Sequence, residues 1–66
     1  MSQPERQCDF VRRVWPQCNG DYDKAARLYA SAEAKGLVRR MSNKNDLSSL
    51  EYGRAVVKNW VRKYNL

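Results

Sequence analysis

Apolar residues recur at helical spacing in three separate stretches of the chain, and each stretch is bracketed by residues that start or stop helices. Near the start, Ser2-Gln3-Pro4-Glu5 has the form of a capping box, with a glutamate three residues after the serine. Pro4 suits a first helical turn, where its missing N–H is not needed. A helix over about 4–14 would align Cys8, Val11, Val14 and Trp15 on one face. It would end at Trp15-Pro16, because the residue before a proline is pushed out of the α region. Residues 17–20 then read as a turn.

The second stretch has the clearest punctuation. Asp21 is placed to cap a helix over 22–35, Asp23 suits the positive end of its dipole, and Gly36 supplies a left-handed stop. Tyr22, Ala25, Ala26, Tyr29 and Ala32 form its apolar face, with Leu28 at the edge. The alanines let another helix approach closely. Lys24, Arg27 and Ser31 lie on the opposite side, and Lys35 falls in the last turn, where a cation suits the dipole.

Leu37-Val38-Arg39-Arg40-Met41 is too short to classify by periodicity. It reads as a strand, or as an extended link that tucks Leu37 and Met41 into the core. Residues 42–46 (SNKND) are polar turn sequence. A third helix over 48–64 follows, opened by a second capping box, Ser48-Ser49-Leu50-Glu51. Leu50, Val57, Val61 and Tyr64 share a face, widened by Val56 and Trp60, and Gly53 inside that arc implies close backbone approach. Tyr52 lies off the stripe, which makes it an exposed contact candidate. Arg54, Lys58 and Arg62, four apart, form a basic ridge. The pattern as a whole predicts a mainly α, three-helix domain with a short β element after Gly36.

At 66 residues the chain is one domain near the lower size limit for independent folding. With a single phenylalanine, a homodimer contact or a partner would supply part of its burial. The net charge of +6 is uneven. Residues 37–66 hold Arg39, Arg40, Lys44, Arg54, Lys58, Arg62 and Lys63 against Asp46 and Glu51, whereas basic and acidic residues balance over 21–36. Such asymmetry points to a polyanionic partner. No apolar run approaches a membrane span.

The chemistry of catalysis is thinly represented. Histidine is absent, and there is no phosphate-binding glycine loop or suggestive carboxylate pair, which argues against an enzyme. Cys8 and Cys18 lack further ligands at a recognisable spacing, so neither a metal nor a cofactor is implied. A Cys8–Cys18 disulfide stays open, but the polar start MSQPERQ is unlike a secretory signal, so reduced thiols and a cytoplasmic location are expected.

Two short motifs add a family likeness. Lys35-Gly36-Leu37-Val38-Arg39-Arg40 and Leu47-Ser48-Ser49-Leu50-Glu51-Tyr52-Gly53-Arg54 match the "GLV-R" strand and the "LT-x-x-G-R" helix start of winged helix-turn-helix regulators of the MarR type. Over residues 22–57 the chain therefore resembles a minimal winged helix. The resemblance implies a recognition helix at 22–35, with Lys24, Arg27 and Ser31 facing the major groove. Arg39, Arg40 and Lys44 would lie on a wing, and Arg54, Lys58 and Arg62 would flank the duplex. The sequence departs from the family in having one helix before the recognition helix, a short wing loop, and Asp21 and Asp23 where they repel phosphate. DNA binding by a transcription or replication accessory factor is the expectation, and it needs Lys24 and Arg27 to share a face with Arg39 and Arg40. The rival is a basic inhibitor or adaptor that docks on an acidic surface of a larger machine such as RNA polymerase, a role common among small phage-encoded proteins.

Overall fold

A computed structural model describes residues 3–39 and 47–66, which form three helices: α1 (Gln7–Val14), α2 (Tyr22–Ala34) and α3 (Ser49–Tyr64). A single 3-10 turn, Trp15–Gln17, extends α1 at the point where Pro16 interrupts it. The mainly α, three-helix expectation holds.

α2 and α3 lie antiparallel, a direction fixed by three pairings along their length. Ser49 at the start of α3 donates to Glu33 near the end of α2 (2.9 Å). Gly53 sits against Ala26 and Tyr29, and Arg54 reaches Asp23 at the start of α2 (2.6 Å). α1 packs over this pair and brings in Phe10, Val11 and Val14, which join Cys18, Ala25, Tyr29, Ala32, Val38, Tyr52, Val56, Val57 and Val61 in one core. Burying a valine or larger apolar side chain contributes roughly 1.5–3 kcal/mol, so this set carries most of the stability available to so small a chain.

The local punctuation works as read. Asp21 accepts from the N–H groups of Asp23 (2.9 Å) and Lys24 (3.2 Å). Ser48 accepts from the N–H of Glu51 (3.1 Å), while its own hydroxyl donates to the Glu51 carboxylate (3.0 Å). Gly36 adopts φ +75° and turns the chain out of α2.

Gly53 lies where the two long helices approach closely. A Cβ there would stand 3.0 Å from the Ala26 carbonyl oxygen and 3.1 Å from the Tyr29 ring. Gly53→Ala gains helix propensity of about 1 kcal/mol. Relieving the contact with backbone requires α2 and α3 to spread, an overpacking cost of about 1–3 kcal/mol. Net destabilisation is expected, read as a lower thermal midpoint by circular dichroism; an unchanged or raised midpoint would show that the helices separate freely here.

The structure corrects several expectations. α1 begins at Gln7, not Pro4, because the Glu5 N–H donates to the Leu37 carbonyl (2.8 Å) and Glu5 forms an isolated parallel bridge with Val38. This holds the preceding backbone extended and makes Arg6, whose side chain makes no capping bond to the helix backbone, the N-cap. That bridge is the short β element after Gly36; among the described residues there is no strand. Residues 37 and 38 alternate sides as extended backbone must. Val38 is therefore buried and Leu37, expected inside, is 54% exposed.

On α1, Gln7 and Phe10 take core positions while Cys8 is only half-buried. On α3, contact at Gly53 rotates the buried arc toward Tyr52, which is 5% exposed and not a surface contact. Leu50 and Tyr64 correspondingly lie outside. Tyr22, expected on the apolar face, is exposed, with its ring against Trp15 (5.0 Å). Ser2, Met41 and the polar turn at 42–46 lie outside the described residues.

Candidate nucleic-acid interface

A net positive chain exposes useful charge only where its cations are free of internal carboxylates. Every described acid is engaged. Glu5 accepts two bonds from Arg13 (2.8 and 3.2 Å), and Asp9 accepts from Arg6 (2.9 Å). Both guanidiniums are held charged more firmly than usual, first by those hydrogen bonds. Asp23 is held by Arg54, Glu33 by Ser49, Glu51 by Ser48, and Asp21 caps α2.

The remaining described cations divide between rings and solvent. Lys58 lies over Tyr22 (5.9 Å), Arg12 over Tyr64 (5.3 Å) and Lys63 over Trp60 (5.1 Å). Lys24, Arg27 and Lys35 are exposed and have no carboxylate partner among the described residues. On α2 these three and Ser31 recur at three- and four-residue steps, on the side away from buried Ala25, Ala26, Tyr29 and Ala32. The cations at the ends of this stripe are separated by ~16 Å along the helix axis. Asp21 and Asp23, which the sequence places as a repulsive pair at the leading end, are drawn into the cap and onto Arg54.

The structure therefore brings Lys24, Arg27 and Ser31 together, as expected, and adds Lys35. It divides the α3 ridge: Arg54 is bound to Asp23, Lys58 covers Tyr22, and Arg62 alone of the three is exposed without an internal partner among the described residues. It does not bring Arg39 onto the α2 stripe. The Arg39 carbonyl accepts from Gln7 Nε2 (3.1 Å) and the Tyr29 hydroxyl (3.3 Å), and Tyr29 leaves α2 from its core side. Arg39 instead borders a second surface. Arg40 and Lys44, the other wing residues, lie outside the described residues.

Comparison of the chain with protein-family models, curated proteins and solved structures gives no match. Among the described residues no helix is long and apolar enough to cross a membrane, and no cluster of His, Cys, Asp or Glu is suited to hold a metal ion. The two thiols are free; Cys18 is buried and donates to the Val14 carbonyl (3.3 Å), and burial pushes its pKa up.

The second surface is an open cleft of about 620 Å³ beside the start of α1, bordered by Gln3, Pro4, Arg6, Cys8, Arg39 and Trp60. Trp60 stacks on Tyr64 with centroids 5.6 Å apart and planes 17° from parallel. Desolvation first, and then the nearby Cys8 thiol, raises the Tyr64 phenol above its ordinary value. The helical pattern alone places these aromatics in the core. The signal that points outward is the four-residue step from Trp60 to Tyr64, with Arg62 and Lys63 between them.

Proposed function

We propose that this chain is a small DNA-binding protein that presents the exposed face of α2 to the major groove. One observation carries the reading: Lys24, Arg27, Ser31 and Lys35 line a single helix face, and the carboxylates around that face are already engaged within the protein. Phosphate neutralisation supplies most of the affinity of such a surface, and arginine adds bidentate contact to guanine or phosphate. The short turn through Gly20 that precedes α2 is in keeping with the helix-turn-helix part of the winged-helix resemblance. Arg39 does not share the α2 face, so the winged-helix form of the reading, which needs that shared face, is set aside and the α2 stripe alone is kept. Arg54 acts indirectly, by holding Asp23 away from the phosphates.

A protein-docking role has its own support. Leu28 and Leu37 are exposed beside a furrow of about 220 Å³ that Phe10, Val14 and Ala32 also line, with Arg13 and Lys35 at its edge. An apolar floor with a cationic rim suits an acidic amphipathic segment.

Fluorescence anisotropy of a labelled random duplex, repeated over a salt series, separates the two. The DNA reading predicts affinity falling steeply with salt, with a log–log slope of about −3 or steeper. No binding at low salt would sink it and turn attention to the furrow.

A further inference from the structure

We infer that the cleft beside α1 is a stacking site for an unpaired base of a single-stranded nucleic acid, with Trp60, backed by Tyr64, as its platform. The inference rests on the nucleic-acid reading but uses a different face from α2. Trp60 lines the cleft, and Tyr64, which stands outside that lining, backs the Trp60 ring at 5.6 Å in a nearly parallel stack. Cations stand at both ends of that stack: Arg12 over Tyr64 (5.3 Å) and Lys63 over Trp60 (5.1 Å).

Arg6 and Arg39 border the cleft as well. Among the described residues the one carboxylate lining it, Glu5, is held by two bonds from Arg13. A flat aromatic wall edged by cations, with that acid neutralised, complements a base attached to phosphates. Lys63 is a flexible side chain, so a base settling on Trp60 displaces the ammonium toward the strand's own phosphate at small cost. The Gln3 amide offers a donor and an acceptor to a base edge, but stacking is sequence-tolerant, so broad base preference follows. An acidic peptide would use the cations without needing the stacked rings, which is why a nucleic acid is the better fit.

Trp60 also provides the readout. In a Trp15→Phe chain it is the only tryptophan, and its emission can be followed during titration with oligo(dT) of about 15 nucleotides. Controls are an abasic strand of equal length and a polyglutamate peptide. Saturable quenching by oligo(dT), and not by either control, is expected. Tyr64→Ala, at a half-exposed position that leaves the fold intact by circular dichroism, should weaken oligo(dT) binding about tenfold or more.

No quenching by oligo(dT), equal quenching by the abasic strand, or an unchanged affinity in Tyr64→Ala would overturn the assignment. Quenching by polyglutamate as strong as by oligo(dT) would reassign the cleft to a protein. The combined Lys24→Ala, Arg27→Ala and Lys35→Ala variant separates the two surfaces. If the parent chain binds duplex but shows no quenching by oligo(dT), this inference alone fails. If quenching persists in a chain that never binds duplex, only the α2 reading fails.

Discussion

Replacing Lys24, Arg27 and Lys35 together by alanine is expected to lower duplex affinity on the order of a hundredfold at low salt and to flatten its salt dependence by about three log units per log unit. Each cation that meets a phosphate releases close to one counterion, so removing all three cations at once appears directly in the slope. The fold should not notice. All three side chains are exposed and lack carboxylate partners among the described residues, and alanine is the better helix former at the two positions inside α2. Far-UV circular dichroism and the thermal midpoint are therefore expected to match the parent chain. If affinity and slope stay as they were, the α2 face is not the contact surface.

The Asp23–Arg54 pair tests the same surface from the opposite side. Asp23→Asn removes a negative charge from the first turn of α2 and releases Arg54, so duplex affinity should rise roughly three- to tenfold. Little stability should be lost, because both groups are solvent-exposed and such pairs contribute little. An affinity unchanged by this substitution would mean that phosphates never come near the start of α2.

What the sequence makes legible here is set by the range of each signal. Asp21, Gly36 and Ser48 act on backbone within three or four residues, so their roles can be read from neighbours alone. Gly53 is legible as a close approach because a glycine inside an apolar arc has few other reasons to be there. The register of α1 is not legible: its start depends on Glu5 pairing with Val38, thirty-three positions away, and no local pattern announces that bridge. Tyr52 fails for a related reason. A helical wheel locates the apolar arc only to within a residue or so, and the arc's true centre is decided by where α2 presses on Gly53. The basic ridge shows the limit for function. The four-residue spacing of Arg54, Lys58 and Arg62 is plain, but the carboxylate and the ring that engage two of them come from α2.

Gln7→Leu is expected to produce a large loss of stability for a single substitution, about 2–4 kcal/mol, because one amide holds three parts of the chain together. Gln7 is the one buried polar residue among those described, 6% exposed. Its Nε2 donates toward the hydroxyl oxygens of Tyr29 on α2 and Tyr52 on α3 and toward the carbonyl of Arg39, each at 3.1 Å. Its Oε1 receives the Trp60 indole N–H at 3.5 Å. Leucine keeps nearly the same volume, so the loss isolates the hydrogen bonds from the packing. For a domain of this size each kcal/mol moves the thermal midpoint by about 4–8 °C, which puts the expected fall at roughly 10–20 °C. The convergence also fixes where α1 sits. Phe10, Val11 and Val14 would tolerate a small slide over α2 and α3, whereas an amide between three oxygens is satisfied in one position only. Urea unfolding should therefore show a shallower slope as well as a lower midpoint, the sign of a less uniquely packed native state. A midpoint within a few degrees of the parent chain would mean that α1 is positioned by apolar contact alone. The cleft floor, and with it the base platform, would then owe nothing to Gln7.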